Sequence, residues 1–183
     1  MLSAASLPPR SERVRYNFDG GWEVKAGNAG DWKRVTTPYA WNEDSAFKVA
    51  IRDMPTGIAS YRKRFTLPAG SEGKKIFLEF EGIRHTGDFT LNGQPIGRHE
   101  NGVMAFGFDI TSVVKPAPEE NLLEAQIDNS WDVTEKATGA KFQWADRNFY
   151  ANYGGINKHV YLHVTGKLYQ TLPLYSSLHT TGA

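Results

Sequence analysis

The sequence predicts an all-β fold, a β-sandwich or jelly roll, and three observations lead there. Apolar residues alternate with polar ones over short runs. Clusters of Gly, Asn, Asp and Pro interrupt those runs at short intervals. No long stretch carries the 3.6-residue period of an amphipathic helix. Repeated short strands separated by turn chemistry are the pattern of sandwiches and jelly rolls.

Taken along the chain, Tyr61 to Leu67 alternates as a half-buried strand does. In KIFLEFEG, Ile76, Leu78 and Phe80 share one face, while Glu79 and Glu81 share the other and are expected to meet solvent. Asn92-Gly93 fits a two-residue type I′ turn, which would pair Leu91 with Gln94, Thr90 with Pro95 and Phe89 with Ile96. In that register the Pro95 nitrogen points away from its hairpin partner. A proline there would break a ladder on the far side, so the strand is expected at a sheet edge. Asn101-Gly102 makes a second reversal, and Phe106, Phe108 and Ile110 then return to the core. Asp109-Ile110-Thr111 before SVVK can cap one short helical turn. Leu123-Ala125-Ile127 and Val160-Leu162-Val164 are further strands. No linker or repeat divides the chain, so residues 1–14 are expected to be an N-terminal extension and 15–183 a single domain.

Bulk properties narrow the function classes. The 183 residues are 40% hydrophobic and 22% charged, with a net charge of +1. Basic residues are scattered rather than gathered in a stripe, which argues against a nucleic-acid partner. The absence of cysteine excludes disulfides, thiolate zinc sites and thiol nucleophiles. No apolar run approaches the ~18 residues of a membrane-spanning helix, so no membrane partner is expected. The start, MLSAASLPPRSER, is too short and polar for an intact signal peptide.

No catalytic pair stands out. Glu79 and Glu81, about 7 Å apart along one strand face, read as surface carboxylates. Asn42-Glu43 follows TPYAW and reads as a loop. His159 and His163 would lie roughly 13 Å apart along a strand, too far to ligate one metal; surface or half-buried positions are expected for them. The segment FQWADRNFYANYGG, 142–155, carries five aromatics with Asp146, Arg147, Asn148 and Asn152. Aromatic faces beside amide, carboxylate and guanidinium groups suit sugar rings and their hydroxyls. The same aromatics can equally plug the end of a sandwich core.

Certain motifs then form an ordered set. They are Gly21-Trp22; Thr37-Pro38-Tyr39-Ala40-Trp41-Asn42; Tyr61 to Phe65; Phe77 to Ile83; Leu91-Asn92-Gly93 with Gly97; Phe106 to Thr111; Asn121-Leu122-Leu123; Asp128-Asn129; and Gly154-Gly155-Ile156 before Val160-Tyr161-Leu162. In order and spacing this set resembles the N-terminal sugar-binding-like domain of glycoside hydrolase family 2, which includes β-galactosidases and β-glucuronidases. The resemblance implies a galactose-binding-like jelly-roll β-sandwich. It implies a non-catalytic module, the glutamate pair lying on a barrel that this chain lacks. The parent would be a periplasmic or secreted glycosidase, β-galactosidase-like. Partners would be carbohydrate and the parent's remaining domains. No cofactor is implied; such sandwiches sometimes hold a structural Ca²⁺, for which no ligand set stands out here.

In the family the loop before the Gly-Ile motif reaches the barrel's sugar site, often through an Asp six residues ahead of that Gly. Here that position, six before Gly155, is Phe149. The match fails at that residue, and Asp146 and Asn148 are the neighbouring polar candidates for substrate contact, with Arg147, Asn152 and Tyr153 beside them. Two other functions compete. One is a free-standing carbohydrate-binding module. The other is an interaction sandwich whose edge near Pro95 meets a partner or a second copy, forming a homo-oligomer.

Overall fold

The computed structural model describes residues 13–27, 30–46, 48–100, 104–142, 151–167 and 169. In chain order the strands are β1 (Val14–Asn17), β2 (Trp22–Ala26), β3 (Lys33–Val35), β4 (Tyr39–Ala40), β5 (Ile58–Phe65), β6 (Lys75–Phe80), β7 (Thr86–Leu91), β8 (Gln94–Glu100), β9 (Phe106–Asp109), β10 (Asn121–Asp128), β11 (Gly155–Ile156) and β12 (Val160–Thr165). Among the described residues helix is confined to two single 3-10 turns, Glu43–Ser45 and Ile51–Asp53. The strands form a four-stranded sheet, β1-β12-β6-β9, a six-stranded sheet, β3-β2-β5-β10-β7-β8, and a short pair, β11-β4. Every paired neighbour is antiparallel.

The two large sheets face each other across one core. Leu123, Ala125 and Ile127 of β10 face inward from one side; Ile76, Leu78 and Phe80 of β6 and Val160, Leu162 and Val164 of β12 face inward from the other. Burying each Leu or Ile contributes about 1.5–3 kcal/mol. Aromatic rings join the layers: Phe80 lies 4.9 Å from Phe89 and 6.4 Å from Trp22 in the opposite sheet, and stacks at 5.2 Å on Phe106 of its own. Trp22 is fully buried and its indole donates to the Phe18 carbonyl at 3.0 Å.

The outward face of the six-stranded sheet is polar. Its register sets Arg34 opposite Glu23, Glu23 opposite Arg62, and Arg62 opposite Glu124. Opposite charges thus alternate across four strands, a favourable cross-strand arrangement. The Arg62–Glu23 pair closes to 2.7 Å.

The hairpin at Asn92-Gly93 forms, with positive φ at both residues, 53° and 79°. β8 is an edge strand, as Pro95 requires. Its register departs from the expectation beyond Pro95: Thr90 pairs with Pro95, but Phe89 pairs with Gly97 rather than Ile96. A β-bulge takes up Ile96. Gly97 is needed there, because a Cβ would approach Phe108 Cε1 to 2.4 Å and φ is +152°. Asn101-Gly102 lies outside the described residues; the strands flanking it, β8 and β9, belong to different sheets. The turn after β9 is a single hydrogen-bonded turn, Val113 N and Val114 N both donating to the Ile110 carbonyl.

Glu79 does not lie on a solvated face. It is 9% exposed, because His163 of β12 and Arg15 of β1 lie against it. His163 Nε2 lies 2.6 Å from its Oε2, and Arg15 Nε lies 3.8 Å away. The Tyr169 ring packs 4.9 Å from Phe77. His163 is likewise buried, at 3% exposure, against Glu79. Glu81, just past the strand, is half-buried and meets Arg15 at 3.2 Å.

Candidate functional site

The segment with the sugar-like composition lies mostly outside the described residues, 143–150, but both of its flanks are fixed at one end of the sandwich. Phe142 is buried beside His85, ring centroids 6.1 Å apart. At the other flank, Asn152 enters a cluster of buried polar groups from four separate parts of the chain. Asn129, at the end of β10, donates from Nδ2 to the Asn152 carbonyl at 2.9 Å. Its Oδ1 accepts from Gly57 N at 3.1 Å and from the Trp41 indole at 3.2 Å. Asn42, just after β4, donates to the same Asn152 carbonyl at 2.8 Å and to the Pro55 carbonyl at 2.7 Å. Gly154 N returns a bond to Asn42 Oδ1 at 3.0 Å.

The Asn152 amide is committed in turn. Nδ2 donates to the Asn129 carbonyl at 2.6 Å, and Oδ1 accepts from Arg84 Nε at 3.2 Å. His85 Nε2 lies 3.1 Å from that same Oδ1. Because a carboxamide oxygen only accepts, His85 carries its proton on Nε2. Burial, then the neighbouring Arg84 charge, hold its pKa down at about 4, so the ring is neutral at pH 7. Asn129 and Asn152 are fully buried, and Asn42 and His85 are each 2% exposed. A buried network of this kind is rigid when every member is satisfied.

Two glycines permit this packing. A Cβ on Gly154 would fall 2.2 Å from Asn129 Cγ, and one on Gly155 would fall 2.0 Å from the Tyr61 hydroxyl, at φ +127°. The Tyr61 hydroxyl donates to the Tyr39 carbonyl at 3.0 Å, tying β5 to β4.

Of the sequence-derived candidates, Asp146, Arg147 and Asn148 lie outside the described residues. Asn152 lies at the centre of the cluster, facing inward. Tyr153 is half-buried beside it, its N–H donating to the Ala151 carbonyl at 3.0 Å. Asn42, His85 and Asn129 were not among the site residues named from the sequence, where Asn42 was read as a loop residue. The signal for them was present in TPYAWN, Asp128-Asn129 and Gly154-Gly155-Ile156, motifs far apart in sequence that meet here. Among the described residues no group of three or more His, Asp or Glu side chains is placed to hold a metal. The most buried carboxylate, Asp19, is taken up by four protein donors: Val160 N (2.8 Å), His159 Nδ1 (2.8 Å), Asn17 Nδ2 (2.8 Å) and Thr37 Oγ1 (2.9 Å).

Known proteins resemble this chain in sequence and fold. A β-glucuronidase of Formosa agariphila is 31% identical over 94% of this chain and 19% of its own length. A β-galactosidase of Thermoanaerobacter pseudethanolicus is 32% identical over 58% of this chain and 14% of its own. Among solved structures, a β-glucuronidase from glycoside hydrolase family 2 superposes with a TM-score of 0.77 at 30% identity, covering 97% of this chain and 20% of that one. The chain therefore spans about a fifth or less of the length of these relatives. Residues 31–160 match the family described as glycosyl hydrolase 2 galactose-binding domain-like, and the chain belongs to that family.

Proposed function

We propose that this chain is the non-catalytic front module of a family 2 glycosidase acting on β-glucuronides or β-galactosides, and that it lends the 143–151 segment to the parent's sugar pocket. One observation carries the reading: the buried Asn42–Asn129–Asn152–His85 cluster holds Asn152 and sets His85 against Phe142, the two residues that flank a stretch rich in polar and aromatic side chains. Buried amides are tolerated only when hydrogen-bonded, and these pair with one another and with Gly57 N, Gly154 N, the Trp41 indole and the Pro55 carbonyl. They make sense as a rigid footing for a segment that must be held in place. Asn152 is then a positioning residue, while Asp146, Arg147 and Asn148 are the groups that would meet sugar hydroxyls. The relatives' lengths support a parent with further domains.

The test has two parts. The isolated chain, assayed with nitrophenyl β-glucuronide and β-galactoside, is expected to give no turnover above background. In the parent polypeptide, Asp146→Ala and Asn148→Ala are expected to raise KM or lower kcat/KM by about tenfold or more, the size of one lost polar contact in a buried site. Turnover by the isolated chain that disappears on mutating a residue within it would overturn the reading. So would a parent indifferent to both substitutions.

A further inference from the structure

A second feature lies beside β4, outside the buried cluster. Strand period places Tyr39 and Trp41 on the same side of the chain, with Ala40 turned into the core between them. Both rings are half-buried and, with Val24, Ala26 and Gly30, line a cleft of about 200 Å³. Its rim carries Asp31, Lys33 and Asp44. Lys33 Nζ donates to the Tyr39 hydroxyl at 2.7 Å and to Asp44 Oδ2 at 2.7 Å. Those two bonds use two of three ammonium hydrogens.

We infer that this cleft binds a single neutral pyranose ring, an inference that rests on reading the chain as a carbohydrate-facing module. Four properties agree. The volume lies below the ~300–1,000 Å³ of pockets for larger ligands, which suits one ring rather than a chain of them. Two aromatic rings supply an apolar wall for the C–H face of a sugar. The third Lys33 hydrogen and the exposed Asp31 carboxylate provide a donor and an acceptor for its hydroxyls. The lining carries two carboxylates against one ammonium, and the ammonium is already paired with Asp44. That balance disfavours a ligand with its own carboxylate, so a uronic acid is excluded where a neutral sugar is accepted. Trp41 ties the cleft to the buried cluster through its indole bond to Asn129 and its N–H bond to the Gly154 carbonyl. The platform is therefore held rigid from behind.

The experiment titrates the full chain with methyl β-galactopyranoside, methyl β-xylopyranoside and methyl β-glucuronide, following the assigned indole N–H resonance of Trp41. Neutral glycosides are expected to shift it saturably, with a Kd in the millimolar range, and the glucuronide is expected to bind about tenfold more weakly or not at all. Asp31→Asn and Asp44→Asn, both at exposed positions, are expected to weaken neutral-sugar binding by about tenfold. Asp31→Asn is also expected to narrow the gap to the glucuronide. The inference is overturned by the absence of a saturable shift, by equal binding of glucuronide, or by affinities unchanged in both variants. If Asn148→Ala abolishes binding while the rim variants do not, the ring sits on the 143–151 segment; the cleft inference then falls and the module reading stands.

Discussion

At the scale of single residues, three side chains put the stability of this fold under test. Asn129 makes three bonds from one buried amide, to Gly57, Trp41 and Asn152. Asn129→Ala leaves two donors unpaired, Gly57 N and the Trp41 indole, while the Asn152 carbonyl keeps its bond from Asn42, and each orphan costs about 1–3 kcal/mol. Urea unfolding is expected to show a loss of roughly 3–5 kcal/mol, larger than for any exposed asparagine. Asp19 behaves differently. Burial alone would raise its pKa, but the hydrogen bonds from Val160, His159, Asn17 and Thr37 outweigh it and hold the carboxyl below its ordinary value. A depressed carboxyl contributes stability that is present above the ordinary Asp range and is lost as pH falls through the folded-state pKa. The melting temperature of the native chain is therefore expected to fall faster than that of Asp19→Asn as pH drops below about 4; parallel curves would show that the four bonds carry no charge-dependent stability. Lys63 has the opposite character. It points inward from β5 at 8% exposure, donating to the Gly20 carbonyl and lying 4.3 Å from the Phe18 ring centroid. Burial pushes its pKa down to about 8, only partly offset by Asp19. The unfolded chain then binds the extra proton between about 8 and the ordinary 10.5, so Lys63 costs stability below about 8 and the cost fades as pH rises to 10.5. Lys63→Met is expected to raise the melting temperature at pH 7, with the gain shrinking by pH 10.

At the scale of elements, the β7–β8 hairpin separates conformational from steric demands on glycine. Gly93 sits in the turn at φ +79° with open space around its missing Cβ. Gly93→Ala is expected to cost about 1–2 kcal/mol, the backbone penalty alone. At Gly97 the same change drives a methyl into the Phe108 ring. Overpacking is added to the backbone term, so Gly97→Ala is expected to cost about 2–4 kcal/mol, and denaturant midpoints of the two variants would rank them. This contrast also marks what the sequence made legible. Alternation in β6, β10 and β12 was visible because side-chain period 2 follows from the strand itself. The type I′ turn was visible because Asn-Gly suits it chemically. The bulge at Ile96 was not, because it answers to a ring arriving from β9 in the other sheet. Glu79 was misplaced for a related reason: alternation tells which residues share a face, while the side chains that pack onto that face, here His163, Arg15 and Tyr169, decide whether it is covered.

At the scale of the whole molecule, the family likeness carried what local rules could not. Asn42 and Asn152 are separated by 110 residues and look like ordinary turn amides in sequence. Only a motif order shared with longer proteins linked TPYAWN, Asp128-Asn129 and Gly154-Gly155-Ile156, and the structure gives the reason: the three meet in one buried network. Charge and composition argued against some classes of partner without naming one. The outward charge ladder Arg34–Glu23–Arg62–Glu124 adds a prediction at this scale. Glu23→Lys places like charges side by side and is expected to destabilise by about 1 kcal/mol at low salt, an effect that should shrink as ionic strength rises, as thermal melts in increasing NaCl would show.

The asparagine cluster has a consequence for variation. Its bonds to the segment at the sandwich end fall on Asn152 and Gly154, after the stretch 143–150, and Phe142 is held before it. The cluster fixes Phe142 and Asn152 through contacts that involve nothing between them, as a socket would. If the proposed function holds, exchanging residues 143–150 in the parent polypeptide is expected to change its sugar preference while leaving the thermal stability of the sandwich unaltered.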